Sequence, residues 1–187
     1  DQLRWEGFAH SVYHEPTRRR SGVAPSCMLA TALLAPGVTL ITSTTVPGVD
    51  RLAVHRFVAT PDNWPSIVLS SQSVAGKSTN QPIQPGESVD EIFGAPPILP
   101  LRVTWTCVAT DEDGGTLDLV SDAGLGGVAR DCRMKFAVAD ASDGVRIELQ
   151  MSYTPTSILA TLAQPILRLD NEIALRVLLR RALLNTS

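Results

Sequence analysis

The sequence is short of aromatics, cysteine, histidine and charge, and each shortage excludes something. Three Trp, two Tyr and four Phe are all the aromatics among 187 residues. Charged side chains make up 19%, below the usual quarter. The 16 basic and 19 acidic residues leave a net charge of −3, which argues against a general nucleic-acid binder. The three cysteines, Cys27, Cys107 and Cys132, show no CxxC spacing. That excludes a disulfide scaffold and argues against a zinc site. They read as small buried hydrophobes, with a Cys107–Cys132 bridge left open. Gly and Pro, at 13 each, do not suit a collagen-like or disordered chain. What is present is a 44% hydrophobic content, enough for one domain with a real core.

Charge is also missing locally. Nothing from Ser21 to Val49 is charged, and Arg18, Arg19 and Arg20 directly precede that run. A transmembrane helix and the remnant of an organelle-targeting segment both come into view, the more so because the first residue is Asp1. Against a span, Pro25, Pro36, Gly37 and Pro47 break the run. Its best apolar stretch, Cys27 to Ala35, covers about half of the ~20 residues a bilayer requires. The plainer expectation is a short helix followed by a strand. Residues 1–36 are read as an N-terminal extension and residues 37–187 as the folded domain. The extension holds Trp5, Phe8, Tyr13, His10, His14 and the arginine triplet.

Past Pro36-Gly37 the period changes. Val38–Val46 is rich in β-branched residues and reads as a strand closed by Pro47-Gly48. Val49–Ala59 has helical spacing, and Asn63-Trp64-Pro65 opens a second short helix. Strand signals follow at Gln72–Ala75, Ser88–Phe93 and Leu99–Ala109. In the last, Leu101, Val103, Trp105 and Cys107 alternate with Arg102, Thr104 and Thr106. Leu117, Leu119 and Ser121 continue the alternation after Asp113-Gly114-Gly115. Cys132, Met134, Phe136 and Val138 share one face, and so do Val145, Ile147, Leu149, Met151 and Tyr153 after the turn at Ser142-Asp143-Gly144. Beyond Pro155 the period becomes helical. Ile158, Leu159, Leu162, Ile166, Leu169, Ile173, Val177 and Leu178 define an apolar stripe that runs on through Leu184. Pro165 is expected to kink this helix or split off its first turns.

The order predicts an α+β domain: a curved antiparallel sheet of about seven strands wrapped on a long C-terminal helix, with space for an apolar pocket between them. That order resembles the helix-grip fold of the SRPBCC superfamily, which includes START domains, Bet v 1-like proteins and polyketide cyclases. Several stretches are similar to the plastid "polyketide cyclase/dehydrase and lipid transport" proteins of plants and algae. They are Asp62-Asn63-Trp64-Pro65-Ser66-Ile67-Val68, Glu91-Ile92-Phe93-Gly94-Ala95-Pro96-Pro97-Ile98-Leu99-Pro100, Asp131-Cys132-Arg133-Met134-Lys135-Phe136, Met151-Ser152-Tyr153 and Leu169-Asp170-Asn171. The resemblance covers Gly37 to Leu184. It implies a hydrophobic-ligand cavity but no single reaction.

Motifs that carry chemistry are few. Gly76-Lys77-Ser78 lacks the earlier glycine of a phosphate-binding loop, since Ser71 stands there, and reads as a surface turn. Gly124-Leu125-Gly126-Gly127 lies between antiparallel strands, not before a βαβ helix, and suits a flexible loop over a cavity mouth. His10 and His14 are spaced as helical metal ligands but have no evident third ligand. His55 has no nucleophile nearby, so no catalytic triad can be built. Asp90 and Glu91 are adjacent on a strand and cannot both enter one site. Asp111, Glu112 and Asp113 fall at a solvated turn. Asp170-Asn171 lies close to the helix stripe, where a buried polar group must find a partner, and a hydrogen bond to a loop is the favoured reading.

The expected chamber is lined by Val103, Trp105, Cys107, Leu119, Met134, Phe136, Leu149, Met151, Tyr153, Leu162, Ile166 and Ile173, with Tyr153 as its hydrogen-bonder. Discrimination is expected from shape, because few charged groups can face inward. The leading expectation is a chloroplast protein, soluble or peripheral to the thylakoid membrane, that binds or carries a lipid, pigment or isoprenoid without catalysis or cofactor. A second is an accessory subunit of a photosynthetic membrane complex, docked through Trp5, Phe8, Tyr13, Arg18, Arg19 and Arg20. A third, a cyclase- or hydrolase-like enzyme, lacks an identifiable nucleophile–base pair.

Overall fold

The computed structural model describes residues 37–94 and 100–186. The expected Cys27–Ala35 helix and the extension lie outside them. Seven strands form one antiparallel sheet: β1 Val38–Val46, β2 Ser71–Gly76, β3 Ser88–Phe93, β4 Leu101–Asp111, β5 Thr116–Ser121, β6 Ala129–Ala141 and β7 Gly144–Pro155. Their order is β1-β7-β6-β5-β4-β3-β2, so the first strand pairs with the last. Val38 faces Tyr153 and Val46 faces Val145 along that pair. The second half of the uncharged run is therefore strand β1 and its turn. Among the described residues no helix is long and apolar enough to cross a membrane.

The alternation expected of β4 to β7 is present. Val103, Trp105, Cys107, Leu117, Leu119, Met134, Phe136, Ile147 and Leu149 are all buried on the inner face. Register shifts at Ser71/Ser73, Cys107/Ala109 and Arg130/Arg133 bend the sheet. In the last of these Asp131 takes the left-handed conformation with φ 53°, which a short polar side chain tolerates.

Two short helices cross the gap between β1 and β2. Helix α1, Arg51–Ala59, starts at Asp50, whose carboxylate accepts the Ala53 amide at 2.8 Å. Val54 and Val58 are fully buried. The ring of His55 is buried, with Nε2 3.0 Å from the Thr116 carbonyl. A 3-10 turn, Pro61–Asn63, leads into α2, Trp64–Ile67. The Trp64 indole donates to the Val58 carbonyl at 2.9 Å and so fixes α2 against α1.

The C-terminal helix runs as α3, Ile158–Ile173, a π-helical segment, Ala174–Leu179, and α4, Arg180–Thr186. It removes the split expected as one outcome at Pro165 and corrects the buried face. Pro165 lies inside α3 without dividing it. Pro165 and Thr161 are both exposed, so the carbonyl that loses its amide partner can be solvated by water. The buried face is also not the apolar stripe read from the sequence. Ala160, Leu167, Asp170, Asn171, Ala174, Leu175, Leu179 and Leu183 face the domain. Ile158, Leu159, Leu162, Ile166, Leu169, Val177 and Leu184 are exposed. The helix is apolar on more than one side, and the sheet takes the side with small Ala160 and Ala174.

From Leu167 to Leu183 the buried positions recur every fourth residue. On a turn of 3.6 residues such a row drifts by about 40° per step. The wider π turn at Ala174–Leu179 counters that drift and keeps the row on the domain. The four buried leucines contribute roughly 1.5–3 kcal/mol each. That offsets the burial of Asp170 and Asn171, whose polar groups cost about 1–3 kcal/mol where unpaired.

Candidate functional site: a two-compartment chamber

Between the inner face of the sheet and α3 lie two adjacent spaces. The inner compartment has a volume of about 50 Å³. Strands β3 and β4 supply Glu91, Phe93, Val103 and Trp105; β6 and β7 supply Cys132, Met134, Phe136, Leu149, Met151 and Tyr153. Trp64, Ile67 and Val68 close it from α2 and its C-terminal cap, and Leu167, Asp170 and Asn171 from α3. The outer compartment, about 500 Å³, is almost wholly apolar. Leu101, Val128, Ala129, Leu159, Leu162 and Ile166 are among its walls. Phe93, Leu125, Tyr153 and Leu167 belong to both and form the partition.

Val103, Trp105, Met134, Phe136, Leu149, Met151 and Tyr153 thus meet as the sequence suggested, and Leu162 and Ile166 line the outer space. Three members of the expected set are elsewhere. Cys107 and Leu119 face each other in register, are buried and line neither compartment. Ile173 lines a separate shallow groove with Leu69 and Ile166. The glycine-rich stretch is not a free loop. Leu125 donates to the Ala129 carbonyl and Val128 to that of Leu125, both at 2.9 Å. Gly124, at φ 69°, sits where a Cβ would lie 2.2 Å from the Ala129 carbonyl, so this tight turn requires glycine. Its Leu125 is one of the partition residues.

Few charged groups are expected to face inward, and two carboxyls do. Glu91 and Asp170 both line the inner compartment and both are buried. The Trp105 indole donates to Glu91 Oε2 at 2.8 Å. Burial raises the Glu91 pKa, an effect the Asp170 charge reinforces and the Ser71 and Trp105 side chains only partly oppose. Ser71 Oγ is close to this carboxyl but makes no well-formed hydrogen bond. Asp170 accepts the Leu69 amide at 3.1 Å and the Ser70 hydroxyl, the loop contact expected of it. Burial raises its pKa as well, and those donors oppose the rise. Asp90, on the other face of β3, binds Thr104 and Arg102 and lies outside the chamber.

Two further polar groups in the inner compartment lack hydrogen-bond partners: Tyr153 Oη and Asn171 Nδ2. Cys132 is a free, buried thiol whose pKa burial pushes up to about 11. Cys107 is also free, so no bridge joins them. No group of three His, Cys, Asp or Glu able to hold a metal occurs among the described residues.

Sequence reasoning missed Trp64, Phe93, Glu91, Cys132 and Leu125 as lining residues. Glu91 and Phe93 were legible from alternation in β3. Trp64 and Leu125 come from a short helix and a turn, where periodicity carries no inward or outward signal.

The sheet order and the terminal helix can now be set beside known proteins. No protein-family model and no curated protein matches the chain. Solved structures do. A norcoclaurine synthase from Thalictrum flavum, in complex with dopamine and hydroxybenzaldehyde, is similar with TM-score 0.62 at 10% identity, over 90% of this chain and 99% of that one. A protein from Thermus thermophilus gives 0.62 at 15%, over 81% and 99%. Ara h 8.0201 gives 0.58 at 16%, over 80% and 99%. The chain has the helix-grip fold of Bet v 1-like proteins. At such identities the likeness concerns the fold and leaves the chemistry to the site.

Proposed function

We propose that this helix-grip domain binds and carries a small hydrophobic molecule: a lipid, pigment or isoprenoid. The observation that supports this most is the outer compartment. About 500 Å³ walled by Leu, Ile, Val, Ala and Phe falls within the usual size of a ligand pocket. The chloroplast setting is proposed from the sequence resemblance alone. Native mass spectrometry of gently extracted protein is expected to show a retained apolar molecule. Empty protein that also fails to bind apolar probes saturably would overturn the reading.

A second reading, acid–base catalysis, is favoured by one observation. Glu91 is a buried carboxyl of raised pKa inside the chamber, the environment in which proton-transfer groups are found. Turnover of a bound molecule that Glu91→Gln abolishes would support it. Unaltered recovery of the retained molecule after long incubation would count against it. Docking to a membrane complex through Trp5, Phe8, Tyr13 and Arg18–Arg20 concerns residues outside those described. Deletion of residues 1–36 followed by co-purification tests it.

A further inference from the structure

The inner compartment holds two carboxyls. Among the described residues, no Lys, Arg or His lines either compartment. Three donors point at the pair: the Trp105 indole, the Leu69 amide and the Ser70 hydroxyl. They favour negative charge there, while burial opposes it on both groups. Both carboxyls line one small compartment, where a negative charge on Asp170 disfavours one on Glu91. A negative charge on either group lies in a largely apolar chamber whose described walls hold no counter-charge, a costly arrangement until a cation arrives.

Two more observations point to a ligand there. Asn171 is 4% exposed, and its amide nitrogen lacks an acceptor. The inner volume of about 50 Å³ holds about three to five waters at roughly 10–15 Å³ each. That is the size of a head group and not of a whole hydrophobic molecule. Trp64 and Trp105 line the same space, and indole faces attract cations.

We propose that the ligand is an amphipathic amine, its ammonium head held in the inner compartment by Glu91 and Asp170 and its apolar body in the outer one. The assignment rests on the ligand-binding reading above and names the chemistry of the head. An oxygen next to the nitrogen would accept from Asn171.

Calorimetric titration of the full chain with n-decylamine, n-decanol and decanoate tests it at constant chain length. The amine is expected to bind at least ~tenfold more tightly than the alcohol. Decanoate is expected to bind most weakly. Glu91→Gln and Asp170→Asn should bring amine and alcohol within roughly threefold of each other. Circular dichroism and thermal melting check each variant. If Asp170→Asn does not fold, because Asp170 also holds Leu69 and Ser70, Glu91→Gln decides alone. Equal wild-type affinity for amine and alcohol, or a preference unchanged in the folded variants, overturns the amine assignment and leaves the ligand-binding reading standing. Saturable binding of none of the three overturns both.

Discussion

Trp105 and Glu91 are diagonal neighbours on adjacent strands, and the indole N–H donates to the carboxylate at 2.8 Å on the inner face of the sheet. The register places Glu91 opposite Val103 and Trp105 opposite Val89, so the bond spans the diagonal that a long aromatic can reach. Trp105→Phe keeps most of the apolar surface and removes the donor. It is expected to destabilise the fold by about 1–3 kcal/mol, because a buried acceptor loses its partner. Urea denaturation measures it. In a double-mutant cycle with Glu91→Gln the two losses should not add. Additive losses would show that the bond carries no stability.

The buried carboxyls give stability a definite pH dependence. Glu91 and Asp170 are raised above their ordinary 4.5 and 3.8 in the folded chain. Their contribution is complete below those values and is lost as pH rises through the folded pKa values. Asp90 and Asp118 behave oppositely. Hydrogen bonds from Arg102 and Arg133 lead in holding them below 3.8, so their contribution is lost as pH falls through the folded values. Stability should therefore decline as pH rises from roughly 4. Glu91→Gln should flatten that decline in a series of urea melts. An undiminished slope would show that Glu91 titrates as an ordinary surface group.

Tyr153 offers a test in the other direction. Its hydroxyl is buried without a partner, so the folded chain carries an unmet desolvation cost. Tyr153→Phe is expected to be neutral or to stabilise by up to about 1 kcal/mol. Loss of more than that in thermal melting would reveal a partner. If the same variant weakens ligand binding, the hydroxyl serves the ligand at the expense of the empty fold.

The thiols should be inert. Cys107 and Cys132 are buried and both are raised, chiefly by burial, the latter to about 11. In a Cys27→Ser background, a thiol reagent at neutral pH should report almost no reaction until denaturant is added. Rapid modification of Cys132 in the folded chain would mean that reagent enters the inner compartment, which Cys132 lines.

The sheet was legible because a half-buried strand writes its inner face into every second residue, as β7 does from Val145 to Tyr153. The chamber was legible to the same depth, and alternation placed Trp105, Met134 and Leu149 on its wall. The face of the C-terminal helix was not. Hydropathy picks out Leu162 and Leu169, yet the sheet buries Ala160 and Asp170, because close approach and a hydrogen bond to the loop at Leu69–Ser70 outweigh side-chain apolarity there. The π turn was also invisible, since it answers a packing mismatch that exists only once helix and sheet have met. Alternation does set Glu91 facing away from Asp90, but its partner Trp105 sits on another strand, and spacing along one chain cannot show that.

Phe93, Leu125, Tyr153 and Leu167 stand between the two spaces and border both. A molecule that reaches Glu91 by way of the outer space is judged twice, at different moments. Its tail governs whether it enters, and its head governs how long it stays. Substitutions in the outer walls should then change association rates, whereas those around the carboxyls should change residence times, so a single equilibrium constant would conceal which end had been altered.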